Sequence, residues 1–234
     1  MKTRLHTSDL QELIAEAQYP NGFLDQGSNI VERTYVNEAF LGKGGYTEMF
    51  FDGLHIGYGD LALYQDTQLY FETDMETVEM HFLMCGDTWT KDQETGNVFE
   101  FGCNQHNIFY SDGFRGISEW SHKAKMQIFE VNLLPSLFEK YLPNDANLFE
   151  AFRSNIFHRK QAQLSHHNLS VTPQMLLIIR EILQTQRQGA FKKMFMEAKV
   201  IELLMLQLEQ ISSHCCDTFC NLKKSDVEKV YAVK

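Results

Sequence analysis

At 234 residues, with 44% hydrophobic residues and 18 phenylalanines, the chain can bury a substantial core in one generous domain or two small ones. Its 31 acidic against 21 basic residues give a formal charge of -10, which repels phosphate backbones and excludes direct nucleic-acid binding without a separate basic module. No run approaches the roughly 18 apolar residues of a membrane span, and the polar stretch from Met1 to Leu13 is unlike a secretory signal, so a cytoplasmic protein that touches no membrane is expected.

In chain order, Ser8 with Gln11 three residues later forms a capping pattern, and Leu10, Leu13, Ile14 and Ala17 share a helical face. A small opening helix is therefore expected, broken by Pro20-Asn21-Gly22. From Asn29 to Leu133 the signals are short and β-like: Ile30–Val36, Tyr46–Phe51, Leu54–Tyr58, Gln68–Thr73, Val78–Cys85, Val98–Phe101, Asn107–Tyr110 and Lys125–Leu133. Turn formers lie between them at Gly42-Lys43-Gly44-Gly45, Asp52-Gly53, Thr95-Gly96-Asn97, Asp112-Gly113 and Arg115-Gly116. Many short strands without intervening helices predict an antiparallel sandwich or barrel.

At Leu134 the hydrophobic period changes from two to about 3.6. Leu134–Leu142 and Leu148–Phe157 read as short helices, and Thr172-Pro173 opens a third carrying Leu176, Ile179 and Leu183. The longest helix is expected over Phe191–Ile211, with Phe191, Phe195, Ala198, Ile201, Met205 and Leu208 as its core stripe. Leu203, Leu204 and Leu206 make it apolar on a second side, so it has two surfaces to cover, one of them by a partner subunit. Ser225-Asp226-Val227-Glu228 is a capping box that starts a further helix near the end of the chain, read as a connector. The five cysteines, at 85, 103, 215, 216 and 220, show no disulfide pattern and read as free thiols.

Three segments together resemble the AraC-type transcription regulators, in the subgroup that includes the pyochelin siderophore regulator. Glu197-Ala198-Lys199, Glu202-Leu203-Leu204 and Leu208-Glu209-Gln210 stand where that subgroup's long helix has its Glu-Ala-Lys start, Glu-Leu-Leu centre and Leu-x-Gln end. His81-Phe82-Leu83 with Gly86, and Gln105 to Tyr110, resemble strands of its barrel, while Leu222 and Asp226 resemble the linker into the helix-turn-helix domain. The resemblance implies an α+β fold: an antiparallel β-barrel or jelly roll of cupin-like type over residues 1–133, a helical dimerisation region over 134–212, and a linker over 213–234 toward a DNA-binding domain that this sequence does not contain. It implies a homodimer that senses a small-molecule effector and meets DNA only through that other domain. A cupin-like metal-dependent enzyme and a cyclic-nucleotide-type sensor are the alternative readings, the second weakened because Gly113-Phe114-Arg115-Gly116 is no phosphate-binding segment.

The candidate pocket is drawn from strand residues: Phe50, His55, Tyr58, Tyr70, Phe82, Phe99, Phe101 and Trp120 as aromatic lining, and Glu130 as a carboxylate that would demand a cationic or hydrogen-bonding partner if placed inside. Tyr46 belongs to the same aromatic set. Val78, Met80, Phe82 and Met84 alternate with Glu79, His81, Leu83 and Cys85, so His81 is expected to point outward if the first face is core. Gln105-His106-Asn107 is expected to stabilise a turn. Lys199, Glu202, Leu203, Leu206 and Gln210 are the expected dimer interface. There is no His-x-His, and His55, His81, His106 and His122 are scattered along the chain, so neither metal nor cofactor is expected. With no nucleophile elbow and no phosphate-cradling loop, no catalytic residue is expected and the chain reads as a binding protein, not an enzyme.

Overall fold

The computed structural model describes residues 1–7, 13–23, 30–37, 42–144 and 147–219. Among these, twelve strands form one hydrogen-bonded sheet in which every pairing is antiparallel. They are β1 (Lys2–Thr7), β2 (Leu13–Gln18), β3 (Val31–Asn37), β4 (Gly42–Phe51), β5 (Leu54–Leu63), β6 (Thr67–Cys85), β7 (Thr88–Asp92), β8 (Val98–Phe101), β9 (Gln105–Trp120), β10 (Met126–Leu133), β11 (Ala162–Gln163) and β12 (Leu169–Ser170). Four helices follow the tenth strand: α1 (Pro135–Phe138), α2 (Asn147–Phe157), α3 (Pro173–Gln184) and α4 (Gly189–Phe219).

The two long strands give the sheet its shape. The first half of β6 pairs with β1, its second half with β10, and β9 runs beside it throughout. A register shift between Thr73 and Glu76, facing Gly113 at φ 80°, divides both strands into two segments. One layer is therefore β3-β4-β5-β10 with the second half of β6, and the other is β2-β1 with the first half of β6, the end of β9, β7 and β8. Rings from the two layers meet between them: His81 of β6 lies 4.5 Å from Phe101 of β8, centroid to centroid, and Phe109 of β9 lies 5.3 Å from Phe99.

Alternation along the strands sorts side chains to two faces. Met49, Phe51, Leu54, Ile56, Val78, Met80, Phe82, Ile108, Phe129, Val131 and Leu133 point outward onto the helices, where they join Met175, Ile178, Ile179, Ile182, Met196, Val200, Leu203, Leu204, Leu208 and Ile211 in one core. Thr172 caps α3 by accepting a 3.2 Å bond from the Met175 amide, with Pro173 at the first helical position.

The structure corrects several sequence expectations. Residues 13–18 form a strand where a helix was expected; Ser8, Leu10 and Gln11 lie outside the described residues. Gly42–Gly45 is the start of β4, not a turn: a Cβ at Gly44 would stand 1.9 Å from the Asp60 carbonyl, so glycine permits the pairing. Asp112-Gly113 and Arg115-Gly116 lie within β9, and Gln105-His106-Asn107 opens that strand rather than a turn. On α4 the buried stripe is Met196, Val200, Leu203, Leu204, Gln207, Leu208 and Ile211; Phe191 is 76% exposed and Met205 47%. The capping box at Ser225, with Cys220, Leu222 and Asp226, falls outside the described residues. No described helix is long and apolar enough to cross a membrane.

Candidate functional site

The face turned away from the helices carries the polar chemistry. On β4 and β5 it presents Tyr46, Glu48 and Phe50 with His55, Gly57 and Gly59; on β10 it presents Glu130 and Asn132, and on β6 Glu79 and His81. Register brings these residues together. Glu130 sits opposite both Gly57 and His81, and Asn132 opposite both His55 and Glu79.

Two carboxylate clusters occupy this interior. In the first, Glu48 is fully buried and accepts from Tyr19 Oη at 2.6 Å, Tyr35 Oη at 3.0 Å and Arg33 Nη1 at 3.4 Å, with His55 Nε2 at 3.0 Å. His55 Nδ1 lies 3.3 Å from Asn132 Nδ2. Burial opposes the charge on Glu48, but the bonds from His55, Tyr19 and Tyr35 outweigh it and hold its pKa below the ordinary value. Tyr19 and Phe23, which follow β2, cover His55 and Phe50 with centroid separations of 5.2 to 6.3 Å, and the Arg33 guanidinium lies 5.0 Å over the Phe50 ring.

In the second cluster, Glu79, His81 and Glu130 bring one ligand-type atom each to within 4.8 Å of one another. Glu79 Oε1 is 2.7 Å from His81 Nδ1, and Tyr46 Oη donates to Glu130 Oε1 at 2.6 Å. That last bond needs Gly57, because a Cβ there would stand 2.0 Å from Tyr46 Oη and 2.8 Å from Glu130 Oε1. Burial and then the Glu79 charge raise the pKa of Glu130, only partly offset by His55, Tyr46 and His81. Burial disfavours the charged form of His81, but Glu79 and Glu130 reverse this and raise its pKa. Burial, reinforced by Glu130, holds Tyr46 strongly protonated.

Of the expected pocket residues, the structure gathers Phe50, His55, Phe99, Phe101 and Glu130 in this interior. Trp120 lies at the far end of β9, its indole donating to Ser118 Oγ at 2.8 Å and its ring packed beside Leu83, Phe101 and Met126. Phe82 belongs to the opposite face and is helix-facing core, fully buried against Phe129 and His106. Tyr58 is also on the outer face, where it donates to Asp60 and borders an open cavity of about 700 Å³ with Thr34, Val36, Lys43 and Thr47. Tyr70 is buried beside His6, its cross-strand partner on β1. His81 faces the interior, because the second layer covers much of that face and leaves its side chain 17% exposed.

The interior residues that sequence reasoning missed are Tyr19, Glu48 and Glu79. No His-x-His pair is involved, because the neighbours of His81 are carboxylates, at i−2 on its own strand and directly across on the next. Glu79-x-His81 was visible as a same-face pair, but the register that adds Glu130 was not.

The expected interface residues fall into two groups. Lys199 pairs with Glu181 at 2.6 Å and Glu202 at 2.9 Å on the outer side of α3 and α4, and Leu206 is partly covered. Leu203 is fully buried in the chain's own core and offers no surface to a second copy. Gln210 is spent inside the chain: its side-chain oxygen lies 2.8 Å from His106 Nε2, and its amide donates to the Ser170 carbonyl at 3.1 Å.

The comparisons with known proteins align with the site-bearing part of the chain. The family model described as the regulatory protein PchR N-terminal domain matches residues 45–218. No curated protein matches the sequence. Among solved structures, the AraC-like transcriptional activator CuxR is similar at 11% identity over 74% of this chain and 61% of its own, with a TM-score of 0.40. A point variant of ToxT from Vibrio cholerae, in its apo form, is similar at 10% identity over 68% and 57%, with a TM-score of 0.47. The nickel-bound pirin YhhW from Escherichia coli is similar at 10% identity over 73% and 58%, with a TM-score of 0.34. The chain spans about three fifths of the length of these structures.

Proposed function

The chain belongs to the family of the regulatory protein PchR N-terminal domain, and on that premise we propose that it is the effector-sensing and dimerisation module of a cytoplasmic AraC-type transcription regulator. It acts by binding rather than by catalysis, and DNA is reached through a separate domain of the whole protein. The reading divides the chain into a cupin-type jelly-roll sensor over 1–133, a helical dimerisation region over 134–212 and a linker over 213–234.

The observation that carries the reading is the family match over a stretch that holds a polar, aromatic-walled interior. A pocket with a few convergent polar groups among apolar walls is what small-molecule recognition needs. The effector is a small molecule with hydrogen-bonding or cationic groups, taken between the two layers beside His55, Phe101 and Glu130. Occupancy shifts the regulator only if the effector binds one arrangement of the subunits better than another.

The dimer forms through the outer side of α3 and α4, around Lys199, Glu202 and Leu206. Leu177 at 58% exposed, Met194 at 66% and Met205 give that side apolar surface with no cover from the chain itself. Native mass spectrometry tests both halves of the proposal: a dimer that releases a co-purified small molecule on activation is expected. A monomer at micromolar concentration overturns the dimer. Failure of any small-molecule pool from the source cells to shift the mass or the melting temperature overturns the sensor.

A further inference from the structure

We infer that Glu79, His81 and Glu130 form a binding site for one divalent first-row transition-metal ion. The donors come from two neighbouring strands in fixed register. Glu79 and His81 are two residues apart on β6 and share its interior face, and Glu130 on β10 is paired directly with His81. One imidazole nitrogen and two carboxylate oxygens lie within 4.8 Å of one another, so small side-chain rotations bring all three to ordinary metal–ligand lengths of roughly 2.0–2.2 Å from a single ion.

Charge points the same way. Arg33 is engaged with Glu48, and among the described residues neither Glu79 nor Glu130 forms an ion pair with a lysine or arginine. Two half-buried carboxylates therefore share this face with an imidazole as the only base paired with either among the described residues, an arrangement that a doubly charged cation neutralises. The neighbours fit a metal site as well. Tyr46 holds one oxygen of Glu130, which fixes the carboxylate and leaves its other oxygen free to bind. The Phe101 ring, 4.5 Å from the imidazole, walls the site on one side, while Gly57 makes room on the other for the Tyr46 hydroxyl beside Glu130. Binding requires a free lone pair on the ligating nitrogen of His81, so the ion takes the neutral imidazole and an imidazolium would give its proton to solvent first. The mixed nitrogen and oxygen set suits Mn²⁺, Fe²⁺, Co²⁺ or Zn²⁺ rather than a thiolate-seeking ion.

The site shares Glu130 and Phe101 with the interior assigned to the effector and so rests on the same pocket, but its test reads the bare ion and fails separately from effector sensing or dimerisation. The full chain is stripped with chelator and titrated with Co²⁺ and Mn²⁺ by calorimetry and optical absorption. One ion per chain is expected, with d–d bands of an N/O site, no thiolate-to-cobalt charge-transfer band, and a raised melting temperature because β6 and β10 become cross-linked. His81→Asn and Glu130→Gln should each abolish the transition, and Tyr46→Phe should weaken it roughly 10–100-fold. Glu79→Gln is a second ligand variant should either of the first two fail to fold. A His122→Ala control, at the exposed His122–Asp66 pair, should bind as the parent does. No saturable binding, binding that survives loss of His81 or Glu130, or a charge-transfer band from cysteine overturns the inference.

Discussion

Gly57 and Gly59 lie two residues apart on one face of β5, yet they answer different needs. A methyl group at Gly57 meets the Tyr46 hydroxyl at 2.0 Å, whereas at Gly59 the nearest atom is Tyr46 Cδ2 at 3.6 Å, an ordinary contact. Gly57→Ala should therefore cost about 1–3 kcal/mol by overpacking and separate Tyr46 from Glu130, while Gly59→Ala should be close to neutral. Urea denaturation of the two variants side by side checks this, and equal midpoints would contradict it. Glu48 gives a prediction in pH. Its folded pKa lies below the ordinary 4.5, so its stabilising contribution is present above that value and is lost as pH falls through the lower folded value. Melting temperature should drop below pH 4.5. Glu48→Gln should flatten that acid limb and cost roughly 1–3 kcal/mol at neutral pH, because buried donors lose a charged acceptor.

At the scale of elements, Thr172 is a clean case. Its side chain bonds the Met175 amide while Pro173 sets the first turn, so Thr172→Ala should lower stability by about 1 kcal/mol without changing the fold. A thermal melt shifted by less than the scatter between replicates would remove the cap from the account. The start of α3 was legible because capping is local chemistry written in adjacent residues. The strands β6 and β9 were legible only in pieces. Asp112-Gly113 reads as a turn, and the chain does change direction there, but it bends within a strand instead of reversing, since the same glycine serves either purpose. Leu13, Ile14 and Ala17 fit a helical face and an extended strand about equally over so short a run, and pairing with β1 decides for the strand. Along α4 the sequence shows apolar residues on two sides, and nothing local says which side meets the sheet. For the site, individual residues such as His55, Phe101 and Glu130 could be nominated, but which carboxylate meets which imidazole depends on register between strands far apart in sequence.

For the whole molecule, the deciding surface is the outer side of α3 and α4. Met205→Glu places a charge on that side at a position 47% exposed, where it should leave the fold intact and turn the proposed dimer into monomers. Analytical ultracentrifugation of parent and variant at matched concentration reads the outcome. A parent that already sediments as a monomer, or a variant that stays dimeric, would place the subunit contact elsewhere or remove it. The burial of Leu203 narrows the design: substituting it would damage the core, and a loss of dimer there would say nothing about the interface.

The joint between α4 and the sheet has a mechanical side. His106, at the start of β9, is gripped by two side chains one turn apart, Gln207 with its amide nitrogen at 2.9 Å from Nδ1 and Gln210 with its oxygen at 2.8 Å from Nε2. The other end of the helix is held by Lys192 to Glu32, an ion pair open to water and correspondingly soft. Such a bolt resists axial sliding, which would break both grips together, more than it resists rocking about the imidazole. Asn107, next in the strand, is paired across to His81, so a disturbance of the interior reaches the bolt within one residue. From Gln210 to Phe219 the helix runs about 13 Å, and rocking by about 10° swings its end by about 2 Å. Whatever the chain carries beyond Phe219 thus rides on the shorter arm of the helix, past a joint made by His106 together with the buried Leu208 and Ile211.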